Sequence, residues 1–197
     1  TNWSARRRSL SNGWPIPSIS SIWGPRSRCA SSWAPLLIYA MIRQESLFEP
    51  GAESSAAARG LMQVIPSTGR WIADELAMPD FHESDLYRPR ISVKFGTFYT
   101  MRGLRAANGN VATALTGYNA GPGNAKFWRE RSGPDEDLFY ETISITEPRS
   151  YLSLITIHLA HYARLYGPRS VSYTHLRAHE TVLDLVCRLL LEKKKHK

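Results

Sequence analysis

Glu45 is the side chain in this sequence best placed to move a proton. It follows an almost unbroken apolar run at residues 36–42, so its carboxyl group is expected to be partly removed from water. Removal from water raises the pKa of a carboxyl group, and an acid that stays protonated near neutral pH can donate its proton to a departing oxygen atom. The alternative is that Glu45 only solvates the exposed edge of a buried helix, since structural carboxylates outnumber catalytic ones.

Three blocks downstream of this acid supply polar and aromatic side chains. They are residues 54–68, which contain Gly-Leu-Met-Gln, residues 117–123 (Gly-Tyr-Asn-Ala-Gly-Pro-Gly) and residues 147–151 (Glu-Pro-Arg-Ser-Tyr). Together with Arg-Gln-Glu-Ser at residues 43–46, they stand in the order found in the catalytic domain of soluble lytic murein transglycosylases. The chain resembles this family over roughly residues 35–168. The family shares its fold with goose-type lysozyme, so the resemblance implies a compact, all-α, lysozyme-like domain.

The resemblance implies an enzyme that cleaves a glycosidic bond with one carboxyl group, where most glycosidases use two. Glu45 would first protonate the oxygen of the β-1,4 bond between N-acetylmuramic acid and N-acetylglucosamine in peptidoglycan. It would then act as a base on the C6 hydroxyl of the muramyl sugar, which leaves a 1,6-anhydro end and consumes no water. Two alternatives stay open: a lysozyme-like hydrolase of the same bond, and a truncated module that binds peptidoglycan without cleaving it.

Other positions that match the family's motifs would contact the glycan strand, and these are Ser54, Met62, Gln63, Tyr118, Asn119, Glu147 and Tyr151. Gln63 can donate and accept hydrogen bonds, whereas Met62 would offer an adaptable apolar wall or simply pack in the core. Tyr118 could hold the carboxyl group of the acid by a hydrogen bond while its ring packs against a sugar. Glu147 would bind substrate, or only compensate the charge at the start of a helix.

Two positions depart from the family's pattern. Ala57 stands where the family has a glycine, and alanine there costs about 1 kcal/mol or more if the backbone needs a positive φ. Pro148 replaces the threonine that usually follows Glu147, and it is tolerable only in the first turn of a helix because it has no N–H. We expect both changes to affect stability and not chemistry, and we expect Arg149 to form a structural ion pair.

The spacing of apolar residues predicts helices and no sustained strand. Pro35 is predicted to begin the first helix, which continues to Phe48. Residues 56–63 contain strong helix formers, and Ser67 is predicted to cap the next helix. That helix and the later ones are predicted at residues 68–78, 91–107, 111–117, 125–131, 138–143 and 147–165, with loops at 80–89 and 132–137 and a turn at 119–123.

The charge of the chain does not indicate a nucleic-acid partner. The net charge of +8 comes from the ends, because residues 1–33 carry five arginines and no acid, and residues 168–197 carry seven Lys or Arg against three acids. Residues 34–167 therefore carry a net charge of −1, which gives no basis for binding nucleic acid. No apolar run is long enough to span a membrane and no signal peptide is evident. A periplasmic or cell-envelope location follows only from the implied substrate, peptidoglycan.

The two ends are interpreted as foreign to the domain, which is assigned to residues 34–167. Residues 1–33 are interpreted as a basic segment outside the domain, either disordered or translated from a shifted reading frame. Codons can be chosen for residues 171–181 that reproduce a transposon-based sequencing-library adapter. Residues 168–197 are therefore interpreted as a non-native tail translated from that adapter.

His175 and His179 have the one-turn helical spacing of a metal-binding pair. No third ligand is evident near them in the sequence, and they lie in the segment interpreted as non-native. We therefore expect neither a metal site nor any cofactor.

A chain that ends at Gly167 is expected to keep its activity, because the residues with an implied chemical role all precede that position. The release of soluble fragments from purified peptidoglycan sacculi, compared between the shortened and the full chain, measures this. Loss of activity in a shortened chain that still folds would assign a role to residues 168–197.

Overall fold

The computed structural model describes the backbone of residues 30–166 and the side chains of residues 35–166. Seven α-helices and one 3-10 helix account for most of this part. In chain order they are α1 (Ala30–Ser46), α2 (Pro66–Glu75), the 3-10 helix (Glu83–Tyr87), α3 (Pro89–Ala106), α4 (Val111–Ala120), α5 (Pro122–Ser132), α6 (Glu136–Thr142) and α7 (Thr146–Tyr166).

No β-strand occurs among residues 30–166, where the only sheet-like pairing is two isolated bridges that join Arg59 to Glu53 and to Val64. The prediction of an all-α fold is confirmed. The interpretations made for residues 1–29 and 167–197, including the histidine pair, lie outside the described residues.

The core is built around α1 and α4. Helix α1 packs along α7, and α4 lies against α3, α5 and α7. Residues 112–117 of α4 are all buried, and α1 contributes a continuous set of buried apolar side chains: Leu36, Leu37, Ile38, Ala40, Met41 and Ile42. Removing this apolar surface from water is the main force that holds the carboxyl-terminal turn of α1 against α7.

Helix α1 differs from its prediction at both ends. It begins at Ala30, so Pro35 lies inside the helix and does not start it. A proline inside a helix removes one backbone hydrogen bond, and burial of the apolar side chains that follow offsets that loss. The helix ends at Ser46, two residues before the predicted end, because Leu47 and Phe48 take positive φ angles of 51° and 67°.

Residues 52–64, called the turn segment from here on, form turns where the composition of residues 56–63 favoured a helix. That prediction is wrong, because the backbone φ is positive at Ala57, Gly60 and Gln63. A Cβ atom on Gly60 would overlap the carbonyl oxygen of Leu86, which precedes α3. Contact with a distant part of the chain therefore overrides the local helix propensity.

The other helix predictions differ mainly at their ends. Helices α3 to α7 begin and end within three residues of the predicted positions. Helix α2 begins at Pro66, with Ile65 as its capping residue, so the cap assigned to Ser67 is wrong. The turn predicted at residues 119–123 is narrower than expected, because α4 runs to Ala120 and Gly121, with φ of 86°, alone separates it from α5.

Pro148, which departs from the family's pattern, and its neighbour Arg149 are both accommodated at the start of α7. Pro148 is buried and is the third residue of the helix, where its missing N–H would have had no helical partner. Arg149 donates hydrogen bonds to the carbonyl oxygens of Ile143 and Glu141, at 2.6 and 2.7 Å. Its Nη1 atom lies 3.8 Å from a carboxylate oxygen of Glu141, so its structural role is confirmed.

Replacing Ala57 by glycine is expected to raise the free energy of unfolding by about 1 kcal/mol, because Ala57 has a φ of 58° that glycine adopts without strain. Urea unfolding of the two proteins measures the difference. The matched control is Ala56→Gly, next to it, where φ is not positive and no gain is expected. Equal effects at the two positions would show that the backbone strain is not the cause.

Candidate active site

Glu45 lies in the last turn of α1 and is partly buried against α7. Burial raises the pKa of its carboxyl group to about 7, a hydrogen bond from Tyr151 acts in the opposite direction, and the charge of Glu147 raises the pKa further. Near neutral pH the carboxyl group is therefore present in both the protonated and the ionised form. Both forms are required of a group that first donates a proton and later accepts one.

Tyr151 holds the carboxyl group in place. Its hydroxyl group donates a hydrogen bond of 2.5 Å to Oε1 of Glu45, and the residue, in the second turn of α7, is 5% exposed. Burial, together with the nearby Glu45 charge, raises the pKa of the Tyr151 phenol well above its usual value, so it stays a donor. The sequence assigned this hydrogen bond to Tyr118, and that assignment is wrong.

Tyr118 instead connects α4 to the turn segment. Its hydroxyl group donates a hydrogen bond of 2.7 Å to the carbonyl oxygen of Met62, and its ring meets the Tyr99 ring edge-on, with the centroids 5.5 Å apart. Burial raises the pKa of Tyr118 well above its usual value, and the charge of Glu45 adds to the rise. Tyr118 therefore lies near Glu45, but its hydroxyl group bonds to the turn segment and not to the Glu45 carboxyl group.

Met62 has no exposed surface, which favours the interpretation that its side chain packs in the core over the one that it offers an apolar wall to the glycan. The side chain packs directly on Gly96 of α3, where a Cβ atom would lie only 2.5 Å from the Cβ of Met62. Met62 therefore belongs to the core, and it contributes to the site through its carbonyl oxygen.

The side chains of Gln63 and Ser54 both brace the turn segment. The Nε2 atom of Gln63 donates hydrogen bonds to the carbonyl oxygens of Ala52 and Gly60, at 3.1 and 3.0 Å. The exposed Ser54 accepts a hydrogen bond of 3.1 Å from the backbone N–H of Ala58. Because the Nε2 atom of Gln63 already donates to two carbonyl oxygens, its Oε1 atom is the one suited to bind a ligand. Contact with a glycan stays a prediction for both Gln63 and Ser54.

Asn119 and Glu147 lie close to each other beside the acid. The Nδ2 atom of Asn119, near the end of α4, donates a hydrogen bond of 3.4 Å to Oε1 of Glu147. Glu147 is exposed in the first turn of α7, where a carboxylate also compensates the helix dipole. Both interpretations of Glu147 are compatible with this geometry, and its charge acts on Glu45 in either case.

Ser46, which had no predicted role, holds the end of α1 against the turn segment. Its hydroxyl group donates hydrogen bonds to the carbonyl oxygens of Leu61, at 3.0 Å, and Ile42, at 3.2 Å. A hydroxyl directly after the acid at the end of a helix was the signal available in the sequence. Its partner, fifteen positions away, could not be identified without the fold.

Within residues 35–166, no group of three or more His, Cys, Asp or Glu side chains lies close enough together to hold a metal ion. No helix in the described part of the chain combines the length and the apolar character needed to cross a membrane.

Replacing Glu147 by glutamine is expected to lower the pKa of Glu45, because it removes a negative charge that disfavours the ionised carboxyl group. The alkaline limb of the pH–activity curve should then move to lower pH, which enzyme assays across the pH range measure. Glu130→Gln, at an exposed acid of α5, is the matched control and should leave the curve in place. Equal curves for all three proteins would show that the Glu147 charge does not reach Glu45.

Comparison with known proteins matches a large part of the chain. A family model described as the transglycosylase SLT domain matches residues 26–138. The soluble lytic murein transglycosylase of Salmonella typhimurium is 31% identical over 133 residues, which are 66% of this chain and 21% of that protein. The corresponding protein of Escherichia coli K12 is 29% identical over 133 residues, with the same coverage. The chain thus spans about a fifth of the length of these curated relatives.

Two solved structures share the fold. The 70 kDa soluble lytic transglycosylase of Escherichia coli superposes with a TM-score of 0.63 at 28% identity, covering 67% of this chain and 22% of that one. An inactive glutamate-to-glutamine mutant of the lytic transglycosylase Slt of Pseudomonas aeruginosa gives a TM-score of 0.61 at 26% identity, covering 83% and 28%. The family model spans more than half of the chain and includes Glu45, and the chain belongs to the transglycosylase SLT domain family.

Proposed function

We propose that this domain is a lytic transglycosylase that cleaves the β-1,4 bond between N-acetylmuramic acid and N-acetylglucosamine in peptidoglycan and forms 1,6-anhydro-muramyl ends. The observation that carries the proposal is the state of Glu45. Its pKa of about 7 and its 2.5 Å hydrogen bond from Tyr151 suit a single carboxyl group that alternates between acid and base.

In the first step the protonated Glu45 gives its proton to the oxygen that joins the two sugars, and the bond from that oxygen to C1 of the muramyl sugar breaks. Positive charge develops at C1, as in other glycoside cleavages. In the second step the C6 hydroxyl oxygen of the same sugar bonds to C1, and its proton passes to the Glu45 carboxylate. The acid is restored, no water is consumed, and the departing N-acetylglucosamine carries the first proton.

The named relatives support the same reaction. Curated relatives from Salmonella typhimurium and Escherichia coli are called soluble lytic murein transglycosylases. The Pseudomonas aeruginosa neighbour is described as inactive after a glutamate-to-glutamine change, and another neighbour was solved in complex with bulgecin A. Because the proposed substrate is peptidoglycan, we propose that this domain acts in the cell envelope, with the periplasm as its compartment.

Digestion of purified sacculi followed by mass spectrometry of the released muropeptides tests the proposal. We expect fragments that end in anhydro-muramyl sugars, each lighter by one water than the corresponding reducing fragment. Reducing ends alone would contradict the transglycosylase and indicate a hydrolase. Co-sedimentation with sacculi without any released fragment would contradict an enzyme and indicate a binding module.

A further inference from the structure

The backbone of Arg59 is the central member of the two bridges in the turn segment. Its N–H donates to the carbonyl oxygen of Val64 and its carbonyl oxygen accepts from the N–H of Val64, both at 3.1 Å. On its other side Arg59 is bridged to Glu53. Arg59 therefore pairs with both Glu53 and Val64, and Val64 directly follows Gln63.

The side chain of Arg59 joins the turn segment to the 3-10 helix. Its guanidinium group lies 3.4 Å from a carboxylate oxygen of Glu53 in the turn segment and 3.3 Å from one of Glu83 in the 3-10 helix. It also lies over the ring of Tyr87, 5.7 Å from the centroid. Tyr87 completes the group, because its hydroxyl donates a hydrogen bond of 2.6 Å to Glu53.

The 3-10 helix is a firm support for this group, because it packs on α2 and α3. The inner edge of the turn segment, residues 61 and 62, is held separately. The hydroxyl group of Ser46 donates a hydrogen bond to the carbonyl oxygen of Leu61, and that of Tyr118 donates one to the carbonyl oxygen of Met62. The outer edge of the turn segment, residues 53–59, is joined to the 3-10 helix by the side chains of Arg59, Glu53 and Tyr87. A planar guanidinium that engages two carboxylates and an aromatic ring fixes geometry in a way that a lysine does not.

We infer that Arg59 is a positioning residue, which holds the outer edge of the turn segment so that Gln63 faces the glycan strand at the correct distance from Glu45. This inference rests on the proposed function and adds to it a residue that acts through the position of Gln63 and not on Glu45. Arg59 bonds to neither Glu45 nor Tyr151, so its loss should weaken glycan binding and leave the chemical step intact.

The first experiment compares Arg59→Ala with the unchanged protein on soluble, uncrosslinked glycan strands. We expect KM to rise about fivefold, the size typical for loss of a partly exposed charged network, with kcat within about twofold and the pH–activity curve unmoved. Arg59→Lys should restore only part of the loss. An unchanged KM, or a fall in kcat as large as the rise in KM, would overturn the inference.

Arg70→Ala is the matched control for the loss of a cation. Arg70 pairs with the same Glu83 but extends from α2 and makes no bond to the turn segment. We expect its KM to stay within about twofold of the unchanged protein, because exposed ion pairs contribute little. Equal increases for Arg70→Ala and Arg59→Ala would show that charge alone matters and would overturn the positioning role.

Two further measurements do not depend on turnover. Calorimetry with chitotetraose, a tetramer of N-acetylglucosamine, should give a Kd about fivefold weaker for Arg59→Ala, and amide exchange should accelerate at residues 52–64 only. Tyr87→Phe, which keeps the ring and loses the bond to Glu53, should show a smaller shift in the same direction. If neither the amide exchange at residues 52–64 nor the Kd for chitotetraose changes in Arg59→Ala, the inference is overturned. If sacculi release no fragments, that result contradicts the proposed function alone.

Discussion

Replacing Glu45 by glutamine is expected to reduce the release of anhydro-muropeptides by about 10³-fold, because an amide can neither give the proton to the departing oxygen nor take one from the C6 hydroxyl. The fold should persist, since the amide has nearly the same shape and its oxygen can still accept the hydrogen bond from Tyr151. Mass spectrometry of sacculus digests measures the loss, and helical circular dichroism checks the fold. Turnover that survives in Glu45→Gln would remove the basis of the proposed mechanism.

The same change is expected to stabilise the protein at high pH. The folded-state pKa of Glu45, about 7, lies above the ordinary 4.5 of the unfolded chain, so the folded protein binds more protons between these two pH values. The contribution of Glu45 to stability therefore falls as pH rises from about 4.5 to 7, by up to about 3 kcal/mol. Glutamine carries no charge and avoids this loss.

Urea unfolding at two pH values tests this sign. At pH 8 we expect Glu45→Gln to be more stable than the unchanged protein, and at pH 4 we expect the two to be nearly equal. Glu130→Gln, at an exposed acid of α5, should change stability little at either pH. A glutamine variant that is less stable at pH 8 would mean that the Glu45 carboxylate is well solvated, against the burial seen here. Such a trade of stability for activity is common at active sites.

Replacing Tyr151 by phenylalanine is expected to lower kcat by about 10- to 100-fold and to move the alkaline limb of the pH–activity curve to higher pH. The Tyr151 hydroxyl favours the ionised form of Glu45, so its loss raises a pKa that burial has already raised. The fall in kcat follows because the carboxyl group loses the contact that orients it toward the substrate. Assays across the pH range measure both effects, and NMR titration of labelled glutamate measures the pKa directly.

Tyr118→Phe is the matched control for Tyr151→Phe. Both hydroxyl groups are near the acid, but Tyr118 donates to the carbonyl oxygen of Met62 and not to Glu45. We expect Tyr118→Phe to leave the alkaline limb in place, although the turn segment is held less firmly. Equal pKa shifts in the two variants would contradict the assignment of the orienting hydrogen bond to Tyr151.

Most helices could be predicted from the sequence, because their signals are local. The apolar stripe of α7 and the Asn-Gly-Asn stop after α3 act within a few residues of where they stand. The turn segment could not be predicted, because its positive φ angles depend on contacts with residues that are distant in the sequence. The backbone of Gly60 lies against the carbonyl oxygen of Leu86, and the side chain of Met62 packs on Gly96. The residues next to Gly60 and Met62 in the sequence do not indicate either contact.

The sequence by itself determined which carboxyl group to propose as the acid, since Glu45 follows a long apolar run and stands in order with the three motif blocks downstream. The motif order was likewise enough to indicate the family, which the comparisons confirm. The partners of the acid were decided only by the tertiary structure. Tyr151 is 106 positions from Glu45 and reaches it because α1 packs along α7, whereas Tyr118 is directed to the carbonyl oxygen of Met62. Chemical identity is a property of single residues, but orientation depends on packing between elements far apart in the chain.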